Sequence, residues 1–195
     1  VLPQAFDVFV PQDGTYDKRK REVEAIGELS EYMEKHSEDF YADAANSALK
    51  NIDNLADNVH EISRLCERYD VNLTVVIPPV YESQLNIYTE ETLNELYEKL
   101  ASVTDYWNFS YSSVSRDARY FYDITHTRNE TINMVLARMF EDTQAYYPQN
   151  FGVYSAKGNP VTIEMLKNTP TDDDYTKVVP IILYHNFEKA PTAGS

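Results

Sequence analysis

The chain has 195 residues, 43% hydrophobic and 25% charged, which suits one globular domain with a substantial core. Its 17 Lys and Arg against 32 Asp and Glu give a net charge of −15, a field that repels nucleic acid and anionic membrane surfaces and argues against both as partners. No apolar run reaches the roughly 18 residues of a membrane span, and the single Cys66 excludes an internal disulfide or a cysteine metal cluster.

No basic-then-apolar signal segment is present. The start at VLPQAFDVFV, without Met, leads us to expect a mature product or an excised piece. Phe6 to Pro11 alternates weakly and reads as a strand stopped by Pro11 and an Asp13-Gly14 turn. From Lys18 to His36, Val23, Ile26, Leu29 and Met33 recur at three- and four-residue spacing and predict a helix with a solvated, charged start. A longer helix is predicted from about Ala44 to Tyr69. Leu49, Ile52, Leu55, Val59, Ile62 and Cys66 would form its buried stripe.

Leu73 to Ile77 lacks polar alternation, as in a strand buried on both faces of a parallel sheet, and Pro78-Pro79 ends it. Thr89, followed by Glu90 and Glu91, predicts a capped helix that buries Leu93, Leu96, Tyr97 and Leu100. Thr104 to Ser110 reads as the next strand and its exit loop. Arg128 to about Asp142 reads as a helix resting on Ile132, Val135, Leu136, Met139 and Phe140. Helices alternating with strands imply right-handed crossovers and a parallel sheet covered on both faces.

Sites in such sheets form beyond the carboxyl ends of the strands. Pro78-Pro79, Asn108 to Tyr111, and Asp123 to His126 all follow predicted strand ends and are expected to converge on one rim. Tyr81, Asn108 and Tyr122 are the candidate substrate-contacting residues there. The chain carries 16 Tyr beside one Trp; some could meet carbohydrate, although packing is the ordinary role of the ring. Residues 148–176 carry Gly, Pro and an acidic run, Asp172 to Asp174. They are expected to be a covering segment or hairpin followed by a linker. Val179 to Phe187 (VPIILYHNF) starts as another buried strand.

Asp123 and His126 carry the chemistry. A histidine acting as general base needs its other ring nitrogen held by a carboxylate, which fixes the tautomer and stabilises the imidazolium. Three residues apart on a turn, the two can reach one another. Thr127 as N-cap with Glu130 three residues on would complete a capping box and set the backbone beside His126. The plain structural alternative is a polar turn capping a helix, where Asp, Thr and His are all at home. His36 and His60 are too isolated to bind metal, and the few glycines form neither a P-loop nor a G-x-G-x-x-G, so no metal and no cofactor is expected.

The pieces Val75 to Val80, Asn108-Phe109-Ser110, and Tyr120 to His126, in that order and followed by a helix, resemble the carboxyl-terminal half of SGNH-type hydrolases. They are most similar to the cell-envelope branch that includes polysaccharide O-acetyltransferase-like proteins. The resemblance covers about Asn51 to Asp142. It implies an α/β fold, a flavodoxin-like three-layer α/β/α sandwich with a mostly parallel sheet, over residues 1–147. It also implies that Asp123 orients His126, which activates a serine. No Ser here follows a Gly-Asp pair, where the family carries its nucleophile, and the Gly and Asn oxyanion blocks are not recognisable. Thr127-Arg128-Asn129 stands where the family often has an aromatic and Arg-Pro. Either the nucleophile lies outside this stretch or the domain is degenerate.

Val179 to Phe187 resembles the first strand of polysaccharide deacetylases; it is otherwise a last strand of the same domain. On the first alternative, residues 177–195 begin a covalently attached deacetylase-like domain. His185 alone cannot hold a catalytic zinc. The resemblances together imply an extracellular or cell-envelope protein of a bacterium, where the Asn72, Asn108 and Asn129 glycosylation sequons carry no meaning. Its partner would be an acylated cell-surface glycan. The implied activity is that of an esterase or O-acetyltransferase; the alternative is a non-catalytic glycan-binding or scaffolding domain.

Overall fold

The structure is a computed structural model that describes residues 8–10, 12, 15–17, 28–142 and 145–169. Strands β1 (Val8–Val10) and β2 (Thr15–Asp17) pair antiparallel, with Phe9 opposite Tyr16. The strand expected at Phe6 to Pro11 is thus present at its centre. Asp13-Gly14, the first part of the Lys18 to His36 helix, Asp172 to Asp174 and Val179 to Phe187 with His185 all lie outside the described residues.

Helix α1 (Leu29–His36) buries Tyr32 and runs into a 3-10 turn, Ser37–Phe40, that buries Phe40. Helix α2 (Ile52–Arg68) starts at Ile52 and not near Ala44 as predicted. The reason is that the preceding backbone is engaged elsewhere. The Ser47 amide donates to the Ile87 carbonyl (2.8 Å), the Thr89 amide to the Ser47 carbonyl (3.2 Å), and the Leu49 amide to Thr92 Oγ1 (3.1 Å). Asn46 and Asn51 adopt positive φ, 44° and 65°, which no α-helix continues. The predicted stripe also divides. Ile52 is buried and Val59 and Cys66 half-buried, but Leu55 and Ile62 face solvent, while Ala56 turns inward.

Strand β3 (Val75–Ile77) leads through α3 (Glu82–Asn86) to α4 (Glu90–Val103). The predicted cap is formed: Thr89 Oγ1 accepts from the Thr92 amide at 3.2 Å. Leu93, Tyr97, Leu100 and Ala101 are buried beneath this helix. Strand β4 (Tyr106–Asn108) pairs parallel with β3, and β5 (Val153–Ser155) pairs antiparallel with β4, giving the order β3-β4-β5. The expectation of a mostly parallel sheet is corrected on this point. The sheet is small and mixed, because the chain reverses after α5 (Asn129–Met139) and returns beside β4. Strand β3 is half-buried along its length, not sealed on both faces.

Side-chain alternation divides the interior between the two faces of the sheet. Val75, Ile77 and Tyr106 pack into a cluster with Leu93, Tyr97 and Leu100 of α4 and with Ile163 and Leu166 of α6 (Ile163–Asn168). Val76 and Trp107 pack into the other, with Tyr32, Phe121, Met134, Val135 and Phe151. Helices therefore cover both faces, which is a coarse α/β architecture. Residues 151–166 belong to these cores, supplying Phe151, Val161, Ile163 and Leu166. On α5 the buried positions are Thr131, Met134, Val135 and Ala137; the expected Ile132, Leu136 and Phe140 are exposed. No helix among the described residues is long and apolar enough to cross a membrane.

Candidate active site

The Asp123 to His126 segment is the tip of a tight loop that precedes α5. Phe121 and Thr127 face each other in an antiparallel bridge. The Tyr122 amide donates to the His126 carbonyl (2.8 Å) and the Arg128 amide to the Tyr120 carbonyl (3.0 Å). Thr127 is thereby held in extended pairing, so the predicted capping box with Glu130 does not form. The N-cap of α5 is Arg128, without a side-chain cap. Thr131 Oγ1 instead donates to the Tyr120 carbonyl at 2.8 Å and fastens the helix to the loop.

Inside the loop, one carboxylate does two jobs. Asp123 Oδ1 accepts the amides of Thr125 (2.7 Å) and His126 (2.8 Å) and the Thr125 hydroxyl (3.0 Å). This is an Asx turn that closes the loop on itself. Asp123 Oδ2 lies 2.7 Å from His126 Nδ1, so the predicted carboxylate–imidazole pair is assembled. Partial burial, the largest influence, pushes the Asp123 carboxyl up. The hydrogen bonds from the Thr125 and His126 amides, the imidazole and the Thr125 hydroxyl together outweigh it and leave the group below its ordinary range. The His126 side chain is 70% exposed, and Nε2 has no hydrogen-bond partner among the described residues.

The loop rests on aromatic and cationic supports. Arg128 is buried; its Nη2 donates to the Tyr32 hydroxyl at 2.9 Å, and its guanidinium lies 4.6 Å from the Tyr122 ring centre. The Tyr81 amide donates to the Ile124 carbonyl at 3.0 Å, and its ring stands edge-on to Phe40 and Phe121. Burial first, then the charges of Glu82 and Asp117, push the Tyr81 hydroxyl above its usual range and keep it neutral. The Pro-Pro loop and the Asp–His loop therefore meet, and Tyr81, Tyr122, Asp123 and His126 form one neighbourhood.

Asn108 does not join them at the surface. It is fully buried at the end of β4, where Oδ1 accepts the Ser110 amide (3.0 Å) and hydroxyl (2.7 Å), and Ser110 Oγ is shared with the Tyr97 hydroxyl at 2.8 Å. Its Nδ2 has no hydrogen-bond partner among the described residues. In this arrangement the Asn108 side chain is closed off from solvent and braces the exit of the strand.

Three contributors escaped sequence reasoning. Thr125 brings a hydroxyl to both members of the pair, 3.1 Å from His126 Nδ1; Asp-x-Thr is an Asx-turn pattern, so a local signal existed. Arg128 stands in the sequence only as the start of a predicted helix, whereas the structure buries it under the loop. Asp117, buried, holds Arg119 through Nε (3.0 Å) and Nη2 (2.8 Å) and anchors the chain just before the loop. Among the described residues no three His, Cys, Asp or Glu side chains converge to hold a metal ion. No family model, no curated protein and no solved structure matches the chain.

Proposed function

We propose that this chain is part of an extracytoplasmic bacterial protein acting on acylated cell-surface polysaccharide, as an SGNH-like esterase or O-acetyltransferase domain of flavodoxin-like architecture. The observation that carries the reading is the 2.7 Å contact between His126 Nδ1 and Asp123 Oδ2 on an exposed loop, which leaves Nε2 uncommitted. His126 takes the proton of an attacking hydroxyl at Nε2 while Asp123 stabilises the imidazolium. The hydroxyl oxygen bonds to the acyl carbon, and the proton passes to the departing oxygen. The hydroxyl is a serine supplied from outside this sequence. Tyr81 and Tyr122, beside the pair, offer rings to the sugar.

A second reading is a non-catalytic glycan-binding or scaffolding domain attached to a polysaccharide deacetylase. It is favoured by the self-contained loop closure at Asp123 Oδ1, which needs no catalysis to explain it. The test is acetate release from an acetylated polysaccharide by the full-length protein. His126→Ala is expected to lower the rate by about 100-fold or more with an unchanged circular dichroism spectrum. Turnover that survives the substitution rejects the acyl-transfer reading; a full-length protein that binds the polysaccharide and releases no acetate establishes the second.

A further inference from the structure

Away from the Asp–His pair, the loops leaving β4 and entering β5 enclose a cleft of about 50 Å³. Tyr111, Ser112, Arg116, Gln149, Asn150 and Lys167 are among the residues that line it; neither Asp123 nor His126 does. In a chain with 32 Asp and Glu and a net charge of −15, this cleft has two cationic side chains and no acidic one in its lining. Lys167 is held by Glu90 at 2.6 Å. Arg116 is exposed, and its guanidinium has no ion pair or hydrogen bond among the described residues. Such a fork is built to take a planar or tetrahedral anion through two parallel hydrogen bonds. The surrounding hydroxyls and side-chain amides suit sugar hydroxyls, and the Tyr111 ring suits the apolar face of a pyranose.

We infer that this cleft binds an anionic sugar, with the carboxylate or phosphate on Arg116 and Lys167 and the hydroxyls on Ser112, Gln149 and Asn150. The cavity has room for the charged group, and the sugar ring occupies its open mouth. The inference is independent of the acyl-transfer reading, because no residue of the Asp–His pair takes part. Repulsion by the net charge of the chain weakens at higher salt, whereas the local contacts at Arg116 are also screened, so comparisons belong at one ionic strength.

The test is an amide NMR titration of the chain with D-glucuronate, glucose 6-phosphate and neutral glucose. At least one anionic sugar is expected to shift the signals of residues 111–116, 149–153 and 167, with a dissociation constant in the range of about 1 mM and binding about tenfold tighter than glucose. The tighter of the two anions identifies the charge recognised. Arg116→Ala, an exposed substitution, should weaken it about tenfold, Gln149→Ala by a smaller factor, and His126→Ala not at all. Equal binding of glucose and the anions, no shifts at the cleft, or affinity untouched by Arg116→Ala overturns the assignment.

Discussion

Asp123 separates loop closure from imidazole orientation, because different oxygens do each. Oδ1 receives the Thr125 and His126 amides and Oδ2 meets His126 Nδ1. Since its folded pKa lies below the ordinary 3.8, the carboxylate adds stability that is fully present above that value and is lost as pH falls through the folded one. The contribution is small because the side chain is partly solvated. A carboxyl-carbon NMR titration is expected to place the Asp123 midpoint below 3.8, and a midpoint at or above it would contradict the hydrogen-bond account. The pairing of Asp123 with His126 was legible in the sequence because a three-residue turn is local. The burial of Asn108 was not, because it depends on Ser110 and Tyr97 meeting across the strand end.

At the scale of the element, periodicity announced the helices but not which way they face. The stripe read on α2 is rotated by roughly 40° from the face that is buried, at 100° per residue. Ala56 therefore lies inside while Leu55 and Ile62 lie outside. A small residue leaves little trace in an apolar pattern, yet Ala56 is buried on α2, which packs against α4. Leu55→Gln and Ile62→Gln should each change stability by no more than about 0.5 kcal/mol, whereas Ala56→Leu should cost about 1–3 kcal/mol by overpacking. Urea unfolding midpoints decide between these, and a large loss in the first two variants would mean that their face is covered. The same reasoning explains α5, where Thr131 is buried to serve the Tyr120 carbonyl while Ile132 and Leu136 are left outside. Strand β5 was not legible at all as a strand of the main sheet. Three residues give no period, and its partner β4 lies far back in sequence.

Across the whole molecule, the return of the chain to β4 carries one glycine against the aromatic core. Phe109, buried just past β4, stacks on Trp107 and tilts against Phe151, and this aromatic group joins the sheet to the core that carries α1 and α5. Gly152 passes over the Phe109 ring with φ of +72°, and a Cβ there would overlap the ring carbons. Only glycine meets both the left-handed backbone and the close approach. Gly158 has a similar φ, +84°, but open space where its Cβ would lie. The two positions therefore separate backbone strain from steric overlap. Gly158→Ala is expected to cost about 1 kcal/mol, and Gly152→Ala about 3 kcal/mol because the ring must also move. The second variant alone should change the near-ultraviolet dichroism of Trp107. Equal losses in the two variants would show that the sheet closes without the Phe109 contact. The larger loss at Gly152 would place the junction between β4, β5 and the aromatic core at this residue.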